Sequence, residues 1–244
     1  MPAHNIIDNR REKLVDHINR ILETSDAARF AVGYFFLSGL TAISGKLSHI
    51  KDLRLLIGNT TNRETLEQIA EGYHRLEMVA DAAEAERFPK RSEIKQMAAE
   101  TSAGVRAGIE RMDQTDEDEA LVRTLVNMIE EKRLHVRVYT KGRLHAKAYI
   151  FDYGEVYDQN GKPVERHEEG IAVVGSSNLT LAGVTHNTEL NVVVQGNANH
   201  AELVRWFEDL WQEAQEFDEA LMQEMKASWA VAPVRPYDVY MKTL

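Results

Sequence analysis

At 244 residues the chain is long enough for a full hydrophobic core, and 43% hydrophobic with 28% charged residues excludes a disordered or fibrous protein. No apolar run approaches the roughly 18 residues needed to cross a bilayer, and Met1–Arg11 is polar where a secretory leader would be apolar. The absence of cysteine excludes disulfides, zinc–thiolate sites, iron–sulfur clusters and thiol nucleophiles, so a cytoplasmic protein is expected.

The formal net charge of −10 is unevenly spread. Lys132 to Lys147 holds six basic residues, two histidines and no acid, which leaves 23 basic against 39 acidic residues elsewhere. A basic island in an acidic protein points to a local anion site rather than a wholly basic nucleic-acid coat.

In chain order, Leu14, Ile18, Ile21 and Leu22 predict an amphipathic helix over Asp8–Thr24. Phe30–Phe36 reads as a buried strand, Ser38–His49 as a short helix and Leu53–Ile57 as a second strand closed by Gly58 and Asn59. This β–α–β order predicts a parallel pair with a right-handed crossover. Residues 63–132 read as a helical insertion, with one apolar stripe at Leu66, Ile69 and Tyr73 and another at Leu121, Leu125 and Ile129. Pro89 breaks that run, and Asp113–Glu119 marks a loop or a helix start. Strand signals return at Leu134–Tyr139, His145–Phe151, Ile171–Val174 and Glu189–Val194, and Asn160-Gly161 suits a hairpin turn in the polar stretch Tyr153–Gly170. Leu203, Phe207, Leu210 and Trp211 predict a closing helix. A single domain is expected over residues 1–232, with Pro233 and Pro236 opening an extended tail over 233–244.

The chemistry concentrates in His145-Ala-Lys147-Ala-Tyr-Ile-Phe-Asp152. On a strand His145 and Lys147 share a face, while Asp152 points to the other side or lies just past the strand end. An imidazole can attack phosphorus, and a fixed ammonium neutralises the non-bridging oxygens as charge develops. Asp152 reads as a strand anchor. A second His-x-Lys, His49 and Lys51, lacks the acid that follows and is discounted. Further along, Gly175 permits close backbone approach, and Ser176 and Asn178 offer short polar groups to phosphate oxygens. Asn187 precedes Glu189, which can accept a hydrogen bond from the second ring nitrogen of His145. Read alone, either cluster also fits a polar turn that satisfies its own backbone.

Together, His145, Lys147 and Asp152, then Gly175, Ser176 and Asn178, then Asn187 and Glu189 resemble the phospholipase D superfamily over roughly residues 28–207. The resemblance implies an α/β/α sandwich with a mixed central sheet. It also implies a covalent phosphohistidine, protonation of the leaving oxygen by a second histidine, and no metal or other cofactor. The chain holds one such motif, so a homodimer with a shared active site is implied. The stretch around Gly175 resembles nuclease-type domains of bacterial helicases of the SWI/SNF type or of restriction and defence proteins, and Pro236–Tyr240 resembles the lead into such a helicase domain. The function expected is therefore a metal-independent DNA phosphodiesterase, with RNA as another substrate. A non-catalytic nucleic-acid module and a lipid phosphodiesterase are the alternatives, the latter disfavoured because no membrane-binding segment stands out. Arg137, Lys141 and Arg143 are candidates to track a phosphate backbone, or are simply solvated. His135, His167 and His186 receive no role; Trp206, Phe207 and Trp211 read as core or dimer contacts, and Tyr34, Phe35 and Phe36 as core.

Overall fold

Strands of β-branched and aromatic residues assemble one mixed sheet in the computed structural model, which describes residues 5–33, 35, 37–58, 101–102, 104–106, 108–109, 112, 114–142, 144–164 and 166–231. In chain order come β1 (Ile6–Ile7), α1 (Leu14–Leu22), β2 (Ser25–Val32), α2 (Leu37–Thr41), β3 (Asp52–Gly58), α3 (Asp116–Glu130) and β4 (Leu134–Tyr139). They are followed by β5 (Lys147–Tyr153), β6 (Val156–Tyr157), β7 (Pro163–Val164), β8 (Gly170–Gly175), α4 (Leu181–Thr185), β9 (Asn191–Val194), α5 (Asn197–Glu213), β10 (Gln215–Glu216) and α6 (Asp218–Lys226). The sheet order is β1-β9-β8-β5-β2-β3-β4-β10. β2 and β4 flank β3 in parallel, and the other pairs in this sheet are antiparallel.

Alternation along the central strands sends side chains into two cores. Phe30, Leu55, Val136, Tyr149, Phe151 and Val173 pack on one face with α1, α2, α3 and α6. Ala31, Leu56, Ala148, Ile150 and Ala172 pack on the other with Phe207 and Trp211 of α5. The result is a mixed sheet between two helical layers, as the resemblance implies. No described helix is long and apolar enough to cross a membrane.

The acidic stretch before α3 is a helix start. Thr115 caps it by accepting from the Asp118 amide at 3.2 Å, and four acidic residues occupy the first turn. After α3, Lys132 takes a left-handed φ of 58° and turns the chain into β4.

Several boundaries differ from the sequence reading. The helix expected over Ser38–His49 is broken: α2 ends at Thr41 and a 3-10 turn follows at Ser44–Lys46. Ser44 donates its hydroxyl to the Thr41 carbonyl at 2.9 Å, competing for a helical acceptor. β2 starts at Ser25 and stops at Val32 rather than running from Phe30 to Phe36, because the chain bends at Gly33; beyond it Phe35 makes a single parallel bridge to Leu179. β9 starts at Asn191, two residues later than read, where pairing with Gly175 begins. Tyr34, Phe36, Arg143, the stripe Leu66–Tyr73, the break at Pro89 and the tail over 233–244 lie outside the described residues.

Candidate active site

One end of the sheet carries His145, Lys147, Gly175, Ser176, Asn178, Asn187 and Glu189. β2, β3 and β8 end there and β5 and β9 begin there, as the pairs Val32↔Lys147, Ala148↔Val174 and Gly175↔Asn191 require. In open α/β sheets, sites form where strand ends leave loops outside the layers. Here the loops are 144–146, before β5, and 176–190, between β8 and β9.

His145 lies in the lead into β5, not on the strand: the β2–β5 ladder ends at the pair Val32↔Lys147, where β2 reaches the bend at Gly33. Its side chain is exposed, whereas Lys147 is only 5% exposed. The Lys147 ammonium donates to the His145 carbonyl at 2.8 Å, tying the two residues into one unit. Gly33 passes over this unit so closely that a Cβ there would lie 2.8 Å from the Leu144 carbonyl oxygen and 3.5 Å from Asn178 Oδ1. Only glycine fits that approach without a shift. The same virtual atom lies 3.8 Å from the His145 Cα, so His145 and Asn178 both lie close to the Gly33 backbone.

The loop after β8 is fixed from below. Tyr149, fully buried on β5, donates its hydroxyl to the Ser177 carbonyl at 2.8 Å. Burial, reinforced by the Glu189 carboxylate, holds the Tyr149 phenol well above its ordinary range, so it remains a donor. Asn191, also buried, donates to the Ser177 hydroxyl at 2.9 Å. Ser176 accepts from the Leu190 amide at 3.0 Å and donates its own hydroxyl to Glu189 in a short hydrogen bond. Ser176 therefore holds Glu189 in place. Asn187 is exposed and its carbonyl accepts from Asn9 Nδ2 at 3.1 Å; Asn9 also serves α1, accepting from the Leu14 amide at 2.8 Å.

Asp152 is on the opposite face. Its carboxylate meets Arg29 of β2 at 2.5 Å and His200 of α5 at 3.0 Å, and Arg29 also meets Glu208 of α5 at 3.0 Å. Burial pushes the Asp152 carboxyl up, but the hydrogen bonds from His200 and Arg29 outweigh it and hold the group below its usual range. Arg29, Glu208 and His200 were not singled out by sequence. The available signal was a pair of opposite charges, Arg29 and Asp152, in otherwise apolar strands.

The basic candidates are tied to α5 and β10. Arg137 donates to the Trp211 carbonyl at 2.8 Å, pairs with Glu216 at 3.1 Å and sits 4.9 Å from the Trp211 ring centroid. Lys141 pairs with Glu213 at 3.1 Å but remains largely exposed. Among the set-aside histidines, His135 contacts Asp218 at 3.1 Å, His186 bonds its neighbour Thr185, and exposed His167 accepts from Asn197 through its carbonyl. Phe207 and Trp211 stack in the core at 5.5 Å. Among the described residues no group of three His, Asp or Glu side chains is disposed to hold a metal ion.

With this geometry in view, residues 66–211 match the family described as "Cardiolipin synthase, PLD-like domain". That is more than half of the chain, and the protein belongs to this PLD-like family. No curated protein matches it by sequence. Similar solved structures include Nuc of Salmonella typhimurium, a phospholipase D family member, at 13% identity and a TM-score of 0.42, covering 82% of this chain and 88% of that one. NucT of Helicobacter pylori is similar at 12% identity and 0.42, covering 87% and 97%. Phosphatidylserine synthase of Haemophilus influenzae Rd KW20 is similar at 11% and 0.47, covering 90% and 43%.

Proposed function

We propose that the chain is a phosphodiesterase that cleaves nucleic acid, DNA first, through His145. The observation that carries this reading is the pairing of an exposed imidazole with a buried ammonium anchored on its own carbonyl. A buried cation beside an exposed nucleophile fits a phosphodiester, whose charge must be matched as the nucleophile approaches. A ring nitrogen of His145 forms the bond to phosphorus while the ester P–O bond breaks, and Lys147 and Asn178 meet the non-bridging oxygens. The leaving oxygen takes a proton from a second, protonated imidazole. Water then attacks the phosphohistidine, breaks the N–P bond and returns its proton to that second imidazole.

The second imidazole is the partner subunit's His145 in a two-fold dimer. Exposed Ile6, Leu190 and Val192, at 59, 60 and 43%, form an apolar edge beside Glu189 on which a second copy can seat. The basic island supports a polyanionic substrate, with the largely exposed Lys141 available to a flanking phosphate. The test is plasmid cleavage by the purified chain in the presence of a chelator. Nicking that survives chelation and vanishes in His145→Ala supports the reading. Nicking retained by His145→Ala, or cleavage of phospholipid vesicles but not of plasmid, overturns it.

A further inference from the structure

The sheet has a second end, where β5 finishes at Tyr153 and β8 begins. Between that end and α1 lies a cavity of about 590 Å³. Tyr153 lies on the same strand as Lys147, six residues away, which at about 3.3 Å per residue places the cavity roughly 20 Å from the active-site edge.

Its composition is amphipathic. Ile21, Ile171 and Val193 supply apolar walls, and Arg20, Arg166 and His167 supply polar ones. Glu168 also lines it, and His17 is already paired with Glu12 at 2.6 Å. Arg166 is the unusual member. Its guanidinium carbon sits 4.8 Å from the Tyr153 ring centroid, and its Nε is buried with no hydrogen-bond partner among the described residues. Buried N–H groups are nearly always paired, so an unpaired one on a cavity wall marks a place for an acceptor. Arg20 and Arg166 form no ion pair with any described residue.

We propose that this cavity binds a mononucleotide. The base lies on Ile21, Ile171 and Val193 beside the Tyr153 ring, and the phosphate lies between Arg166 and Arg20. Planar guanidinium forks suit phosphate oxygens, and arginine already held on an aromatic ring is preorganised to present its donors. The volume lies within the 300–1,000 Å³ range of small-molecule sites. Among the described lining residues Arg20 and Arg166 outnumber Glu168, which favours a phosphate monoester over a neutral aromatic.

The test is calorimetric titration of the full chain with AMP, GMP, CMP and UMP, with adenosine and inorganic phosphate as controls. At least one nucleotide is expected to bind below millimolar Kd and at least tenfold more tightly than either control. Arg166→Ala and, separately, Arg20→Ala should each weaken it tenfold or more, while His145→Ala should leave it unchanged. Arg20 is exposed on α1, so its variant keeps the proposal testable if Arg166→Ala misfolds. Absence of binding by all four nucleotides, binding indifferent to Arg20→Ala, equal binding of inorganic phosphate, or loss of binding in His145→Ala would each overturn the proposal.

Discussion

Lys147 and Asp152 sit on one strand, five residues apart, and on opposite faces of the sheet. Lys147 reaches the His145 carbonyl at the active-site edge, whereas Asp152 is held between Arg29 and His200 against α5. The division separates a residue tied to His145 from one that fastens the strand carrying both to α5.

Asp152→Asn should therefore lower stability by about 1–3 kcal/mol, because Arg29 keeps Glu208 but loses one of its two carboxylates. Turnover of the folded fraction should be unchanged. The Asp152 carboxyl lies below its ordinary 3.8 in the folded chain, so its contribution is fully present above that value and lost as pH falls through the folded pKa. Urea melts of both proteins at neutral pH and in acid should show the gap closing in acid. A fully stable variant with a purely catalytic defect would count against this assignment.

Gly33→Ala tests the crowding at the site. The added methyl would press on the Leu144 carbonyl at 2.8 Å, and the cheapest relief moves the lead into β5. Activity should fall at least tenfold while the melting temperature drops by only a few degrees. Unaltered kinetics in a folded variant would show that His145 tolerates the displacement.

Ser176→Ala should release Glu189. If the serine acts by positioning that carboxylate, kcat should fall by about 10- to 100-fold, the range seen for residues that orient catalytic ligands, with little change in KM. Tyr149→Phe removes the support one layer deeper and should cost about 0.5–1.5 kcal/mol of stability together with a smaller loss of kcat. Ser176→Thr, which keeps the hydroxyl, should restore part of the activity. A rise in KM alone in Ser176→Ala would instead place the serine on the substrate.

Assembly can be read by sedimentation at micromolar concentration. A dimer is expected, with Val192→Lys or Leu190→Asp dissociating it and abolishing cleavage together. Substrate binding should weaken steeply as salt rises, as for any protein making several phosphate contacts. A strict monomer that still cleaves would remove the shared-site mechanism.

The central sheet was legible because apolar runs such as Leu134–Tyr139 coincide with a strand over the same residues. Strand ends were less so, since they depend on where a partner stops: His145 falls outside β5 because β2 bends at Gly33, which no local pattern in residues 145–151 encodes. The break after α2 was missed because residues of good helical spacing hid the competing hydroxyl of Ser44. At the site, the order of His145, Lys147, Ser176, Asn178 and Glu189 could be read directly, but not who holds whom. Sequence reasoning offered Glu189 to His145 but did not read that the Glu189 carboxylate accepts from Ser176. The Arg29–Asp152–His200 cluster joins residues 123 and 48 positions apart, a separation at which pairing cannot be read from spacing.

The segment between β5 and β8 leaves the sheet at Tyr153 and rejoins it at Gly170, carrying the small β6–β7 hairpin with Gly161 at a φ of 74°. Both junctions belong to the end remote from His145. Chain can therefore be inserted, lengthened or deleted at this hairpin without touching the loops that carry His145 and Ser176. The protein has, in effect, a permissive graft point: the length that separates Asp152 from Gly175 can change while the loops 144–146 and 176–190 stay in register.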